Sequence, residues 1–241
     1  MRVIALFGPT GVGKTAVAVA LAARLRAAGE EPVAVSADAL QVYAGLETLT
    51  GVASSSERAT LEHRLVSFVP IDASFSAGEY AQLAHAEIDA LLAQGRRPIV
   101  VGGTGLYLRA ALADLDFKPS LPDGPSQLWS EDMRQPTLLV GLTLEREQLY
   151  ARIDARVELM LAAGVREEVL RAHSAGASIT ARKALGFEDL LAGDVEAMQR
   201  HTRNYARRQL SWMRKMAGVQ PIDVTGRAPQ EVAAEIMAKI A

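Results

Sequence analysis

The chain has 241 residues, a formal net charge of −2, 49% hydrophobic and 22% charged residues, and no cysteine. That length suits one sizeable α/β core; disulfides, thiolate metal sites and cysteine nucleophiles are excluded, and no apolar run approaches the roughly 18 residues of a membrane span. A nucleic-acid role cannot be read from the total charge and would have to come from a local basic patch.

Val3 to Phe7 reads as a strand, Gly8 to Thr15 as a loop, and Ala16 to Ala28 as a helix ending near Gly29. The early glycine-rich loop argues against a signal peptide, so a cytoplasmic enzyme is expected. Pro32 to Ser36 is a second strand with Asp38 just past its end, and Ser76 to Gln94 a long helix stopped by Gly95. A third buried strand, Pro98 to Val101, runs into Gly102-Gly103-Thr104-Gly105. The stretch from Asp114 to Gln135, with Pro119, Pro122, Gly124 and Pro125 and with Pro136 closing it, reads as a connector over 114–136. Beyond it come a strand from Thr137 to Leu144, helices over Glu145–Ala163, Val165–Ala172 and Val195–Ala217, a last strand over Val219–Val224 and a closing helix from Pro229 to Ile240. Strands alternating with helices predict one α/β domain over residues 1–241: a P-loop NTPase-like parallel sheet flanked by helices, with a C-terminal helical segment.

Gly8-Pro9-Thr10-Gly11-Val12-Gly13-Lys14-Thr15 matches G-x-x-x-x-G-K-[ST] between a strand and a helix, the context this motif requires. Its glycines let backbone N–H groups converge on phosphate oxygens, with the helix dipole assisting. Lys14 supplies a cation, and the Thr15 hydroxyl is placed to ligate Mg²⁺. A P-loop specifies a bound di- or triphosphate but not ATP. Many P-loop nucleotidases hold Mg²⁺ with an aspartate at the end of a later strand. Here the best candidate strand ends in glycines, which weakens an ATPase reading. Asp38 should face the P-loop, because ligands bind outside the carboxyl ends of strands in open α/β sheets. It suits a general base or an indirect Mg²⁺ partner, and equally a helix N-cap.

At this point the residues resemble a family. GPTGVGKT (8–15), SADALQVY (36–43) and VGGTGLYL (101–108) resemble the tRNA dimethylallyltransferases in order and spacing, as do LYARIDARVELMLAAGVREEV (149–169), ARKALGFEDL (181–190) and TRNYARRQLSWMRK (202–215). The resemblance implies transfer of a five-carbon group from dimethylallyl diphosphate to N6 of the adenine flanking the anticodon. The P-loop would grip the diphosphate, Mg²⁺ would neutralise it as a leaving group, and Asp38 would accept the amine proton. Asp38, Ala39, Leu40, Gln41 and Thr104 fall where the family contacts the target nucleoside, with Asp38 and Thr104 as the catalytic pair, and the base must be flipped out of its stack to reach them.

Arg200, Arg203, Arg207, Arg208, Arg214 and Lys215 lie in one predicted helix as six cations without a counter-charge, opposite Ala206, Leu210 and Met213. Arginine forks suit phosphate oxygens, so Arg203, Arg207 and Arg208 are expected on the anticodon stem-loop; the plain alternative is a solvated face. Arg182 and Lys183 form a second, smaller basic spot. The four histidines are not spaced as metal ligands. Two departures from the family stand out: Ala39 and Leu40 replace its usual serine and its basic residue or methionine, and the 114–136 connector replaces a helical insertion that helps hold the RNA. A monomer acting on tRNA is the leading expectation. The alternatives are a transferase acting on free AMP, ADP or ATP, a P-loop kinase, and a non-catalytic RNA-binding remnant.

Overall fold

A computed structural model describes residues 2–117 and 127–240. The chain runs β1 (Val3–Phe7), α1 (Lys14–Ala27), β2 (Pro32–Ser36), α2 (Glu47–Thr50), α3 (Ser55–Thr60), β3 (His63–Arg64), α4 (Ala77–Ala93), β4 (Arg97–Gly102), α5 (Gly105–Leu112), β5 (Thr137–Thr143), α6 (Arg146–Ala162), α7 (Val165–Ser174), α8 (Phe187–Leu191), α9 (Val195–Lys215), β6 (Gln220–Asp223) and α10 (Pro229–Ile240). The strands form one parallel sheet in the order β3-β2-β4-β1-β5-β6. Near-continuous apolar strands such as VIALF, buried at every position, are what a sheet covered on both faces demands.

Ile4 and Leu6 point to the side covered by α1 and α10, where they meet Leu21, Leu25, Val232 and Ile236. Val3, Ala5 and Phe7 point to the other side, against Tyr80, Ile88, Leu108 and Leu112 of α4 and α5. A third cluster joins the α6–α9 helices to residues 42–49 through Val157, Val169, Phe187, Met198, Tyr43 and Leu46. The helical segment is thereby fastened beside the carboxyl ends of the strands.

The P-loop NTPase-like parallel sheet is as expected, and several element ends follow local chemistry. Ser76 caps α4 through a reciprocal capping box with Glu79, and the left-handed Gly95 follows it. Three differences stand out. Residues 44–75, left without regular structure by the sequence pattern, contain α2, α3 and β3. Each is six residues or shorter, too short to show a period, and β3 makes the Pro98 strand the fourth of the sheet. The region after Gly103 forms α5, where Leu108 is fully buried and Tyr107 packs on Tyr80 at 4.4 Å between ring centroids. Helix α9 ends at Lys215 and β6 covers only Gln220–Asp223, both shorter than their apolar patterns. Of the 114–136 connector, Pro119, Pro122, Gly124 and Pro125 lie outside the described residues; Gln127–Trp129 forms a single 3-10 turn.

Candidate active site

Central strand β1 delivers the chain into the glycine loop. Gly11 and Gly13 adopt φ of 82° and 101°, a region open to glycine and strained for other residues. Gly13 directly precedes α1, whose first-turn amides, from Lys14 onward, have no partner within the helix and face the cradle. Lys14 Nζ donates to the carbonyls of Gly8 at 2.9 Å and Pro9 at 3.0 Å. Burial pushes its pKa down from 10.5 to about 8; the Asp38 carboxylate opposes that shift and Arg156 adds to it. A loop anion would find this ammonium poorly hydrated and ready to pair.

Asp38 stands half-buried beyond β2, with Oδ1 accepting the Leu40 N–H at 3.0 Å. This is a local turn; no helix begins until Glu47, so the helix N-cap alternative is set aside. The Asp38 charge is felt by Lys14, Arg156, Tyr80, Tyr107 and Tyr205, which surround it from five elements or loops. Gln41 accepts from Ser36 Oγ at 3.0 Å and donates to the Thr50 and Gly51 carbonyls at 3.3 and 3.1 Å. Thr104 Oγ1 accepts the Ala39 N–H at 3.4 Å and lies 3.3 Å from Tyr205 Oη. Burial pushes Tyr205 up to about 12, with Asp38 adding to the shift, so this phenol stays protonated.

These groups surround a cavity of about 350 Å³. Thr10, Gly11, Gly13, Lys14, Thr15, Asp38, Leu40 and Gln41 line it. Gly8, Pro9 and Val12 are buried beneath the loop, and Thr104 reaches the space through Tyr205. Arg207 and Arg208 lie on the exposed side of α9, with the Arg208 guanidinium 5.4 Å from the centroid of the cavity-lining Tyr205 ring. Arg200, Arg214 and Lys215 are exposed as well, and Ala206 and Met213 are buried opposite, as the helical spacing requires. The reading of six unopposed cations is corrected at Arg203, which pairs with Asp154 of α6 at 2.5 Å. The smaller basic spot is also partly neutralised, because Arg182 pairs with Glu188 at 2.8 Å.

Arg152, Arg156 and Gln209 also line the cavity and were not singled out by the sequence. Arg152 and Arg156 sit four apart on α6, hence on one face, and reach Val12 O at 3.5 Å and Thr10 Oγ1 at 3.4 Å. Burial lowers the Arg156 pKa, with Asp38 and then Glu57 opposing. The spacing was visible beside the apolar stripe Leu149, Ile153, Val157 and Met160. Gln209, on the buried side of α9, accepts the Thr10 N–H at 2.8 Å and donates to Gly103 O at 2.8 Å.

A parallel sheet whose central strand ends in a G-x-x-x-x-G-K-T loop, facing a carboxylate across a cation-lined cavity, defines a P-loop protein. The adjacent strand β4 ends in Gly102 rather than in an aspartate. The model of the IPP transferase family matches residues 41–135 and 124–216, and the chain belongs to that family. The tRNA dimethylallyltransferase of Symbiobacterium thermophilum is 31% identical over 309 aligned positions, covering 96% of this chain and 94% of its own length. The full-length tRNA isopentenylpyrophosphate transferase of Bacillus halodurans superposes with a TM-score of 0.86 at 26% identity, covering 99% of this chain and 95% of that one. The corresponding transferase of Staphylococcus epidermidis gives 0.82 at 27% identity, covering 100% and 99%.

Proposed function

We propose that this chain transfers a dimethylallyl group from dimethylallyl diphosphate to N6 of the adenine beside the anticodon in tRNA, releasing diphosphate. Relatives named for that activity align over nearly the whole chain, and the free-nucleotide alternative is not favoured. The observation that carries the reading is the shared cavity, with a P-loop cation at one side and Asp38 at the other.

The reaction breaks the bond between the allylic carbon and the diphosphate oxygen and forms a bond from that carbon to N6. The electron pair leaves with the diphosphate, and the surplus N6 proton passes to Asp38. Lys14, Arg152, Arg156 and the first-turn amides of α1 stabilise the departing charge where it develops. Gln41, Thr104 and the turn at Ala39 and Leu40 orient the flipped base. Among the described residues no group of three His, Cys, Asp or Glu side chains could hold a metal ion. The Thr15 hydroxyl would hold Mg²⁺ brought in with the diphosphate, and Asp38 would be an indirect partner. When bound, Mg²⁺ would offset the charge of the leaving diphosphate.

The exposed side of α9, with Arg207 and Arg208, tracks the anticodon stem-loop, while Arg203 acts from the rim in its pair with Asp154. The 309 aligned positions exceed the 241 residues here, so that relative has residues that this chain lacks, and the 114–136 connector is the place proposed for the difference. Among the described residues no helix is long and apolar enough to cross a membrane. The test combines protein, Mg²⁺ and labelled dimethylallyl diphosphate with tRNA or AMP. Label is expected in tRNA alone; label in AMP, or consumption of ATP in place of label transfer, overturns the reading.

A further inference from the structure

Gln209 sits on α9 between Arg208 and Leu210, one turn beyond Tyr205, and is only 4% exposed. A buried primary amide has four hydrogen-bonding positions and loses stability for each one left unmet. Here the side chain spans two loops from different strands. Its oxygen takes the Thr10 N–H of the loop after β1, and its nitrogen gives to Gly103 O of the loop after β4, both at 2.8 Å. It also contacts the Tyr205 hydroxyl, which lies beside Thr104. The fit is tight, because a Cβ on Gly103 would collide with Gln209 Nε2. The same helix carries Arg207 on its opposite side and Arg208 about a quarter turn away, both exposed.

Two consequences follow from this placement. Thr10 N–H, the second N–H of the loop because Pro9 has none, is engaged by Gln209, which fixes the loop apex while the amides at the start of α1 remain available to phosphate. Any shift of α9 on engaging RNA must also be transmitted to that apex, because the strut is short, buried and bonded at both ends.

We propose that Gln209 is a positioning residue that couples occupancy of the RNA face of α9 to the diphosphate cradle, so that each ligand tightens the other. This rests on the transferase reading above. Reciprocity is a thermodynamic requirement: if diphosphate raises RNA affinity by some factor, RNA raises diphosphate affinity by the same factor. The strut, by contrast, is buried away from the exposed cations of α9.

The experiment measures binding of an anticodon stem-loop RNA with and without saturating magnesium pyrophosphate, for wild type, Gln209→Met, Gly103→Ala and the double variant. Turnover with tRNA and melting temperature are measured alongside. Wild type is expected to show at least about fivefold mutual tightening, the lower range of typical coupling. Gln209→Met, close to isosteric, removes both hydrogen bonds; Gly103→Ala leaves the α9 sequence as it is and displaces the amide from the other end, its Cβ also standing 3.4 Å from Lys14 Nζ. Each should bring the coupling factor close to one and raise KM for dimethylallyl diphosphate, with RNA affinity in the absence of pyrophosphate unchanged. The double variant should be no worse than the single ones, because both cut the same strut. A purely structural role would instead lower melting temperature and the active fraction, leaving the coupling factor intact. Wild-type turnover accompanied by full coupling in either folded variant, or by no coupling in wild type, overturns the proposal. Absence of any wild-type transfer to tRNA would refute the transferase reading itself and not the strut.

Discussion

At Asp38 and Lys14 the chemistry is set by opposite demands on two charges in one cavity. Asp38 is surrounded by groups that sense its charge, while one of its oxygens is already used in a turn that aims the side chain. Asp38→Ala is expected to cut turnover by about 10²–10⁴-fold, the usual worth of a positioned base, with pyrophosphate affinity retained. Equilibrium binding alongside single-turnover transfer checks both halves, and undiminished transfer would remove the assigned base. Lys14 behaves differently because its folded pKa lies below its unfolded value. The unfolded chain holds that proton more tightly, so this site adds stability as pH rises from about 8 toward 10.5. Binding runs the other way: the cradle needs the ammonium, so affinity for a diphosphate monoester should be full below about pH 8 and decline above it. An anion in the loop raises the lysine pKa again, so binding near pH 8 to 9 should take up protons. Calorimetry in buffers of different ionisation enthalpy measures that uptake, and Lys14→Met should abolish it.

Among the elements, α2 shows how a short, weak helix is made dependable. It has four residues and a leucine before its first turn, so it has no side-chain N-cap of its own. Glu168 of α7, 8% exposed, supplies the cap from a distance by accepting the Thr48 and Leu49 N–H groups at 3.0 and 2.8 Å. The end of α2 then presents the Thr50 and Gly51 carbonyls to Gln41. Glu168→Ala is expected to cost about 1–3 kcal/mol, the penalty for stranding buried amides, and to weaken tRNA binding through Gln41. Urea unfolding with unchanged m-value would register the first effect.

This region also shows where sequence reasoning stops. The P-loop, β2, α4 and α10 were legible because each is long enough to show a period or carries punctuation such as Ser76 and Gly95. The cap on α2 was not, since Glu168 and Thr48 are 120 residues apart and nothing local links them. Gln209 was hidden for a different reason. In a run dense with arginine the charges draw attention, whereas the inward-facing amide is decided by tertiary packing. Arg152 and Arg156 lay between: their spacing was readable, but the loop they face was not.

Across the whole molecule, the proposed function requires a near-neutral chain to bind a polyanion through one concentrated surface. Arg207, Arg208, Arg214 and Lys215 are exposed together on α9, whereas Arg203 and Arg182 are partly neutralised by partners. Stem-loop affinity should therefore fall steeply with salt. Replacing Arg207 and Arg208 by alanine should reduce the slope of log K against log[salt] by roughly 0.7 to 0.9 for each RNA phosphate that is no longer neutralised. A variant with the wild-type slope would take those two arginines off the RNA.

The sheet order carries a consequence for the way the molecule is made. Strand β1 lies between β4 and β5, and α1 is covered by α10, so both halves of the phosphate cradle wait for neighbours synthesised much later. A ribosome-bound nascent chain can build the β2-to-α5 layer early, yet Leu21 and Leu25 remain without their cover until Val232 and Ile236 emerge. Competence to hold phosphate is thus among the last properties acquired during translation, and transcripts cut short before codon 229 should yield chains that collapse without gaining it.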